Sequence, residues 1–266
     1  MGSVRVATWN IWWRHGDLDA RSPAILDSLR SIDADVVGLQ EVCSREPDQV
    51  AWLTDELDRH VVSAPGGEDD RFTIVNAIVS RWPILQWDWR YLDVGEMPKH
   101  RTVIWAQVDH PAGPWDVFTT HLSHGFDQSE LRCRQLAEIA EWVSERRAAN
   151  KDALLPPMLT GDLNAVPDSD EIRRLTGRSA PPVPGLVFTD VWEQVGEGDG
   201  VTYSDANPYV NDSAWPERRL DYLLVGWPRR RPNGNPSEVR RFGLDPVDGA
   251  IASDHWGVVA DLQLSD

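Results

Sequence analysis

Cysteine is scarce in this chain: 266 residues hold two, Cys43 and Cys133. Neither a CxxC pair nor an HExxH run occurs, which argues against a zinc site or a dithiol redox motif. A chain of this length buries enough core to need no disulfide, and two reduced thiols are the expectation. Positive charge is also short. There are 43 acidic residues against 26 basic ones, a formal net charge of −17, and Lys99 and Lys151 are the only lysines. Such a balance repels nucleic acid and anionic membrane at long range, so it argues against a broad basic grip on DNA. It leaves a phosphate substrate open, because a bound divalent cation reverses the local sign. No apolar run approaches the ~18 residues of a membrane span. The N-terminus, Met1-Gly2-Ser3-Val4-Arg5, lacks an apolar signal region, and Val6 breaks the myristoylation pattern. These absences give the expectation of a cytoplasmic protein without a membrane span.

What is present is ordinary globular material: 41% hydrophobic and 26% charged residues, with a high 14 Trp. Most of those tryptophans are expected in packing. Strand patterns fall at 4–9, 35–40, 72–80, 84–91, 102–109, 115–120, 158–160, 220–225 and 256–264. A first helix is expected to open at Ser22-Pro23, with Ser as its cap and Pro in its first turn. Further helices are expected at 47–60, 129–147 and 169–175, and a turn at Pro65-Gly66-Gly67. The stretch 176–218, rich in Gly, Pro, Asp and Asn, reads as mostly loop. No linker divides the chain, so one α/β domain over 1–266 with at least two packed sheets is the expectation.

Polar residues stand at the ends of several of these strands. They are Asn10, Glu41, His121, Asp162 with Asn164, and Asp254 with His255, while Asp221 lies inside the apolar run Leu220–Val225. Strand ends gather at one rim of a sheet, where α/β proteins place ligands. Oxygen ligands suit Mg²⁺ or Mn²⁺, which bridge to phosphate. A His beside carboxylates serves as a general base or as a donor to developing negative charge. Each piece alone has a plain alternative. A strand-end Asp or Asn is also a turn former, and Asp221 also fits a salt bridge to Arg218 or Arg219.

Taken in order, the segments ATWNIWW (7–13), VVGLQEV (36–42), NAIVSRWPI (76–84), FTTHLSHG (118–125), LTGDLNAVPDS (159–169), RRLDYLLV (218–225) and ASDHWGV (252–258) resemble the endonuclease/exonuclease/phosphatase superfamily. The resemblance implies a four-layer α/β/β/α sandwich, two mixed sheets face to face with helices outside. It implies a metal-dependent phosphoesterase, with Mg²⁺ or Mn²⁺ as cofactor and a phosphodiester as the first choice of substrate. Phosphomonoester hydrolysis, or a non-catalytic binding protein on the same fold, is the alternative. Nucleic acid is among the candidate substrates, and a monomer is expected.

Carried over by position, Glu41 matches the principal metal carboxylate, helped by Asn10 and Asp254. His255 matches the catalytic His, oriented by Asp221. Asp162 matches the residue that positions or deprotonates the attacking water, or protonates the leaving group. Asn164 and His121 match phosphoryl-oxygen donors. Trp12 stands where apurinic endonucleases of the superfamily carry an acidic residue, and Thr120-His121-Leu122 stands where they carry Tyr. Those departures point toward its sphingomyelinase, 5-phosphatase and deadenylase side. Asn76, His124, Trp12 and Trp256 flank the motifs as candidate substrate-binding residues; packing for the tryptophans and a turn contact for His124 are the plain alternatives. Residues 196–217, with Thr202, Tyr203, Asn207 and Tyr209, form a candidate specificity loop.

Overall fold

The computed structural model describes residues 2–45, 48–64, 73–95, 101–210 and 214–265. In chain order the elements are β1 (Gly2–Asn10), α1 (Leu18–Ile32), β2 (Val36–Cys43), α2 (Gln49–Leu57), β3 (His60–Ser63), β4 (Ile74–Ser80), β5 (Ile84–Leu92) and β6 (Arg101–Val108). There follow β7 (Trp115–His121), α3 (Ser129–Ala149), β8 (Met158–Asp162), α4 (Asp170–Leu175), β9 (Val187–Asp190), α5 (Val191–Val195), β10 (Asp221–Trp227), β11 (Pro236–Phe242) and β12 (Gly257–Leu264).

Alternation along each strand sorts side chains between two faces. In β1, Val4 and Val6 join an apolar cluster with Ile104, Val117, Met158, Leu223 and Val258, the layer between two sheets. Ala7 and Trp9, of opposite parity, meet Ile25, Leu29 and Ile32 of α1 on the outside. A third cluster sets Leu136, Ile139 and Val143 of α3 against Phe118 and Leu159 on the far side of the other sheet. Three stacked apolar layers therefore separate four layers of structure, the sandwich expected above. One mixed sheet has the order β11-β12-β1-β2-β4-β3 and the other β5-β6-β7-β8-β10-β9. The pairs β1/β2 and β7/β8 are parallel. The sheets pack tightly at Gly38: a Cβ there would lie 2.0 Å from Thr160 Oγ1, so only a hydrogen fits.

The first helix departs from its expected start. Asp17 is the N-cap, its carboxylate accepting from Ala20 N, and α1 begins at Leu18. Ser22 lies inside, its hydroxyl donating to Leu18 O at 2.8 Å. Pro23 also sits within the helix, where its missing N–H leaves the carbonyl of exposed Asp19 to solvent. Asp58 ends α2 in the left-handed conformation, and His60 starts β3 rather than closing the helix. The stretch 176–218 contains β9 and α5, and β11 was not anticipated. The expected turn at Pro65-Gly66-Gly67 falls outside the described residues, as do Pro47 and Phe72. Both cysteines are free thiols. No helix among the described residues is long and apolar enough to cross a membrane.

Candidate active site

Strand parity and register place the polar set. Asn10 shares the inner face of β1 with Val4 and Val6. His121, Asp162 and Asp221 share the inner faces of β7, β8 and β10 with Val117, Met158 and Leu223. His121 is the register partner of Asp162 in the parallel pair β7/β8, and Asp221 faces Asp162 in the antiparallel pair β10/β8. Their apolar neighbours on the same faces fill the layer between the sheets, and the polar ends emerge at one rim.

Glu41 needs an extra device. Its parity opposes that of inward-facing Gln40, which donates to Thr119 Oγ1 across the sheets at 2.8 Å. An irregularity in the β2–β4 register between Leu39 and Val42 accommodates Glu41 at φ 55°. Such bulges re-aim a side chain at the cost of local strain. Asn164 (φ 49°) and Trp12 (φ 62°) are held in the same unusual region. Gly161 must be glycine: at φ 152° a Cβ would sit 2.2 Å from the Thr120 carbonyl oxygen.

At the centre stands the buried Asp162 carboxylate. Its Oδ1 accepts from Asn164 N at 2.9 Å. Its Oδ2 accepts from Asn10 Nδ2 at 3.1 Å and lies 3.4 Å from His121 Nε2 and 3.8 Å from His255 Nε2. On the other side of the imidazole, His255 Nδ1 is 2.8 Å from Asp221 Oδ2. Asp221 therefore serves His255, and Arg219 pairs instead with Asp190 at 2.7 Å. Burial disfavours the charged forms of Asp162, Asp254 and His255. It pushes the Asp162 carboxyl up to about 6, against the opposing pull of His255. Burial also pushes Asp254 up to about 7, with Glu41 and Asp162 adding repulsion. Burial works against a charged His255 as well, but Asp221 and Asp162 outweigh it and hold its pKa well above the usual range.

The site fits a hard divalent cation. Glu41, Asp162 and Asp254 are crowded carboxylates that repel one another, and their oxygens are the ligand type such ions take. Asp162, Asp221 and His255 also bring one potential ligand atom each within 4.8 Å of one another. Asn10 is engaged differently from a free ligand. Its Oδ1 accepts from Trp12 N at 3.0 Å, so its NH₂ bridges Asp162 and Glu41 Oε1.

An open cleft of about 590 Å³ covers this floor. Asn10, Glu41, His121, Asp162, Asn164, Asp254, His255 and His124 all line it. Arg101, Arg218 and Tyr203 complete its walls. Arg101 Nη2 lies 3.2 Å from His124 Nδ1. The guanidinium of Arg218 is over the rings of Phe126 and Tyr203, at 4.9 and 5.1 Å. Arg101 follows an undescribed stretch at the start of a strand, and nothing in its local pattern marks it.

The remaining substrate candidates lie away from the cleft. Trp256, the residue after His255 in the turn before β12, lines a separate cavity with Trp192 and Arg241. Trp12 stacks on Tyr209 at 4.6 Å. Asn76 is buried and donates to Thr102 O at 2.8 Å, tying two strands together.

One residue that pattern reading passed over braces the rim. Arg21, fully buried in α1, donates to the carbonyls of Ile11, Trp12, Trp13, His15 and Ala252. It thereby clamps the loop after Asn10 to the turn carrying Asp254. Arg21→Lys keeps the charge but has three donors on a single nitrogen and cannot span those carbonyls. It is expected to cost roughly 2 kcal/mol, the penalty of stranded buried acceptors, read by urea unfolding.

A two-sheet sandwich with carboxylates, amides and histidines at one rim is the architecture of a class of phosphoester hydrolases. The chain belongs to the Endonuclease/Exonuclease/phosphatase family, whose model matches residues 7–255. It is 26% identical over 265 residues to tyrosyl-DNA phosphodiesterase 2 of Danio rerio, covering 96% of this chain and 65% of that protein. The chain thus spans about 65% of the length of that curated relative. Among solved structures, D. rerio TDP2 complexed with single strand DNA product is similar at TM-score 0.74 and 21% identity, covering 99% of this chain and 100% of that one. A functionally unknown conserved protein from Enterococcus faecalis V583 is similar at TM-score 0.76 and 20% identity, covering 98% and 100%. At these identities the structural likeness shows a shared fold.

Proposed function

We propose that this chain is a Mg²⁺- or Mn²⁺-dependent phosphodiesterase that cleaves ester bonds at the ends of single-stranded nucleic acid. The observation that carries the reading is the convergence of Asn10, His121 and His255 on Asp162 Oδ2, beside an Asp221–His255 hydrogen bond. Glu41 and Asp254 would hold the cation, with Asn10 fixing the Glu41 rotamer. When bound, the cation neutralises charge on a phosphoryl oxygen. Asp162, its pKa raised to about 6, is poised to take the proton from the attacking water as the new P–O bond forms and the opposite ester P–O bond breaks, the leaving oxygen departing as phenolate and taking its proton from solvent. His255, kept cationic by Asp221, donates from Nε2 to a phosphoryl oxygen. His121 and the Asn164 amide add further donors at the same rim. Arg101 and Arg218 bring positive charge to the mouth, while the net charge of −17 over the whole chain disfavours a long duplex. The relationship to tyrosyl-DNA phosphodiesterase 2 supports a diester linking a DNA end to an aromatic group.

The test is a substrate panel at fixed Mg²⁺ and Mn²⁺. It contains a tyrosyl-DNA oligonucleotide, single- and double-stranded DNA, RNA, bis(4-nitrophenyl) phosphate and 4-nitrophenyl phosphate. Cleavage of the tyrosyl-DNA and aryl diesters, lost with EDTA, is expected. Turnover of the monoester alone would overturn the diester reading, and turnover unaffected by EDTA would overturn the metal requirement.

A further inference from the structure

The two members of the Asp221–His255 pair belong to different sheets. Asp221 opens β10 in one sheet, and His255 lies in the turn that leads into β12 of the other. A hydrogen bond of 2.8 Å between them requires the sheet ends to be held in fixed relation. Apolar packing between sheets is non-directional and does not set an angle or a distance at the rim. Some directional link must do so.

Thr202 provides one. It belongs to no strand or helix, yet it is fully buried. Its Oγ1 accepts from Leu220 N at 3.0 Å and from Asp221 N at 3.3 Å. Its carbonyl accepts from Trp256 N at 2.7 Å, immediately after His255, and its own N–H donates to Arg218 O at 2.9 Å. One residue is therefore bonded to the backbone of Asp221 and to the neighbour of His255. The next residue, Tyr203, sets its ring 5.1 Å from the His255 ring. Neither Leu220 N nor Asp221 N lies in a β9 pairing, because that register begins only at Leu224. Thr202 Oγ1 supplies the acceptor that the shorter neighbouring strand does not.

We propose that Thr202 is a positioning residue for the hydrolytic site, stapling the backbone of Asp221, through its hydroxyl oxygen, to that of the residue after His255, through its carbonyl. This rests on the reading of Asp221 and His255 as catalytic partners. Thr202 touches neither substrate nor metal; it acts through the direction in which Asp221 Oδ2 meets His255 Nδ1. Valine at this position keeps the shape and the carbonyl but removes the acceptor for both amides. Serine keeps the acceptor and removes a methyl group.

The experiment compares Thr202→Val and Thr202→Ser in the full chain, using the tyrosyl-DNA and aryl diesters as substrates. Thr202→Val is expected to lower kcat roughly 10- to 100-fold, the range for a reacting group displaced by about 1 Å, with KM within about twofold. Thr202→Ser is expected to restore kcat to within about threefold of the parent. Equal losses in both variants would overturn the proposal, because they would assign the effect to packing of the methyl group. An unchanged kcat in Thr202→Val would overturn it as well. Should Thr202→Val not fold, Thr202→Ala removes the same acceptor without setting a methyl against the two N–H groups, and it is read the same way.

A second readout does not depend on turnover. In metal-free protein labelled with ¹⁵N-histidine, the low-field Nδ1 proton of His255 is expected to move upfield in Thr202→Val and to return in Thr202→Ser. If the parent hydrolyses no diester, the proposed function fails while this signal still decides the role of Thr202. A resonance unmoved in Thr202→Val would overturn the staple.

Discussion

Replacing His255 by glutamine is expected to lower kcat about 10³-fold on a diester substrate, with KM changed far less. The size follows from removing an acid–base group, worth ~10²–10⁴, that also donates to developing charge. Glutamine can still offer an N–H, but it carries no positive charge. It also cannot bond Asp221 on one side while reaching the phosphoryl oxygen on the other. His255 spans that distance because its two ring nitrogens point apart, Nδ1 2.8 Å from Asp221 Oδ2 and Nε2 facing Asp162 at 3.8 Å. Asp221→Asn is the matched variant. Its side-chain oxygen can still accept from Nδ1–H, but the fixed negative charge that keeps His255 protonated is gone. A loss nearly as large is expected, and the double variant should lose little more than His255→Gln alone, since the two act as one unit. Steady-state kinetics on the three variants and a thermal melt of each provide the check. Strictly additive losses would show that Asp221 and His255 work separately, and retained turnover in His255→Gln would move the chemistry elsewhere.

The convergence behind this prediction was legible in sequence because it rests on local periodicity. In Val4–Asn10 the inward positions are Val4, Val6, Thr8 and Asn10, so an amide arrives at the rim where the apolar series ends. The same count holds from Val117 to His121 and from Met158 to Asp162. Asp221 stood out for the opposite reason, as a carboxylate within an apolar run that required a partner. Its actual partner, His255, is 34 residues away, and sequence pattern alone also allowed the adjacent arginines.

What escaped sequence reading depends on contacts between distant segments. Arg21 looks like a solvent-facing helix arginine until the loop at 11–15 and Ala252 fold over it. Thr202 lies in a stretch whose Gly, Asp and Asn content reads as a plain loop, and its importance comes from bonds to Asp221 and Trp256. Trp256 was a candidate through its chain proximity to His255, and the fold sets it in the lining of a separate cavity with Trp192 and Arg241. The start of α1 was misassigned because Ser22-Pro23 is a strong local start signal, while Asp17 caps the helix one turn earlier. Arg101 reaches the cleft from the first position of β6, and Arg218 from the segment before β10, where no alternation constrains its direction.

Metal-free protein is expected to become more stable as pH falls from 8 to 5.5. Asp162 and Asp254 have ordinary pKa values near 3.8 when unfolded and are raised to about 6 and about 7 in the fold. Each binds its proton more tightly when folded, so the stability it contributes is fully present below the unfolded value. That contribution is lost as pH rises through about 6 for Asp162 and about 7 for Asp254. Between pH 8 and 5.5 the two together are worth about 3 kcal/mol, at ~1.4 kcal/mol for each pH unit travelled below the folded value. His255, also raised, acts in the same direction. A divalent cation bound at the proposed site is expected to reverse the trend. It competes with those protons for the same oxygens, and binding only the folded state it stabilises by an amount set by free metal over Kd. The Mg²⁺-induced rise in Tm is therefore expected to be largest at pH 8 and nearly absent at pH 5.5. Melts in EDTA and in millimolar Mg²⁺ at pH 5.5, 7 and 8 test both halves. A Tm in EDTA that climbs with pH would show that the rim carboxylates are already stabilised without metal. In Asp254→Asn the neutral amide should raise Tm in EDTA at pH 8 and remove most of the Mg²⁺ response. A full Mg²⁺ response in that variant would place the cation on Glu41 and Asp162 without Asp254.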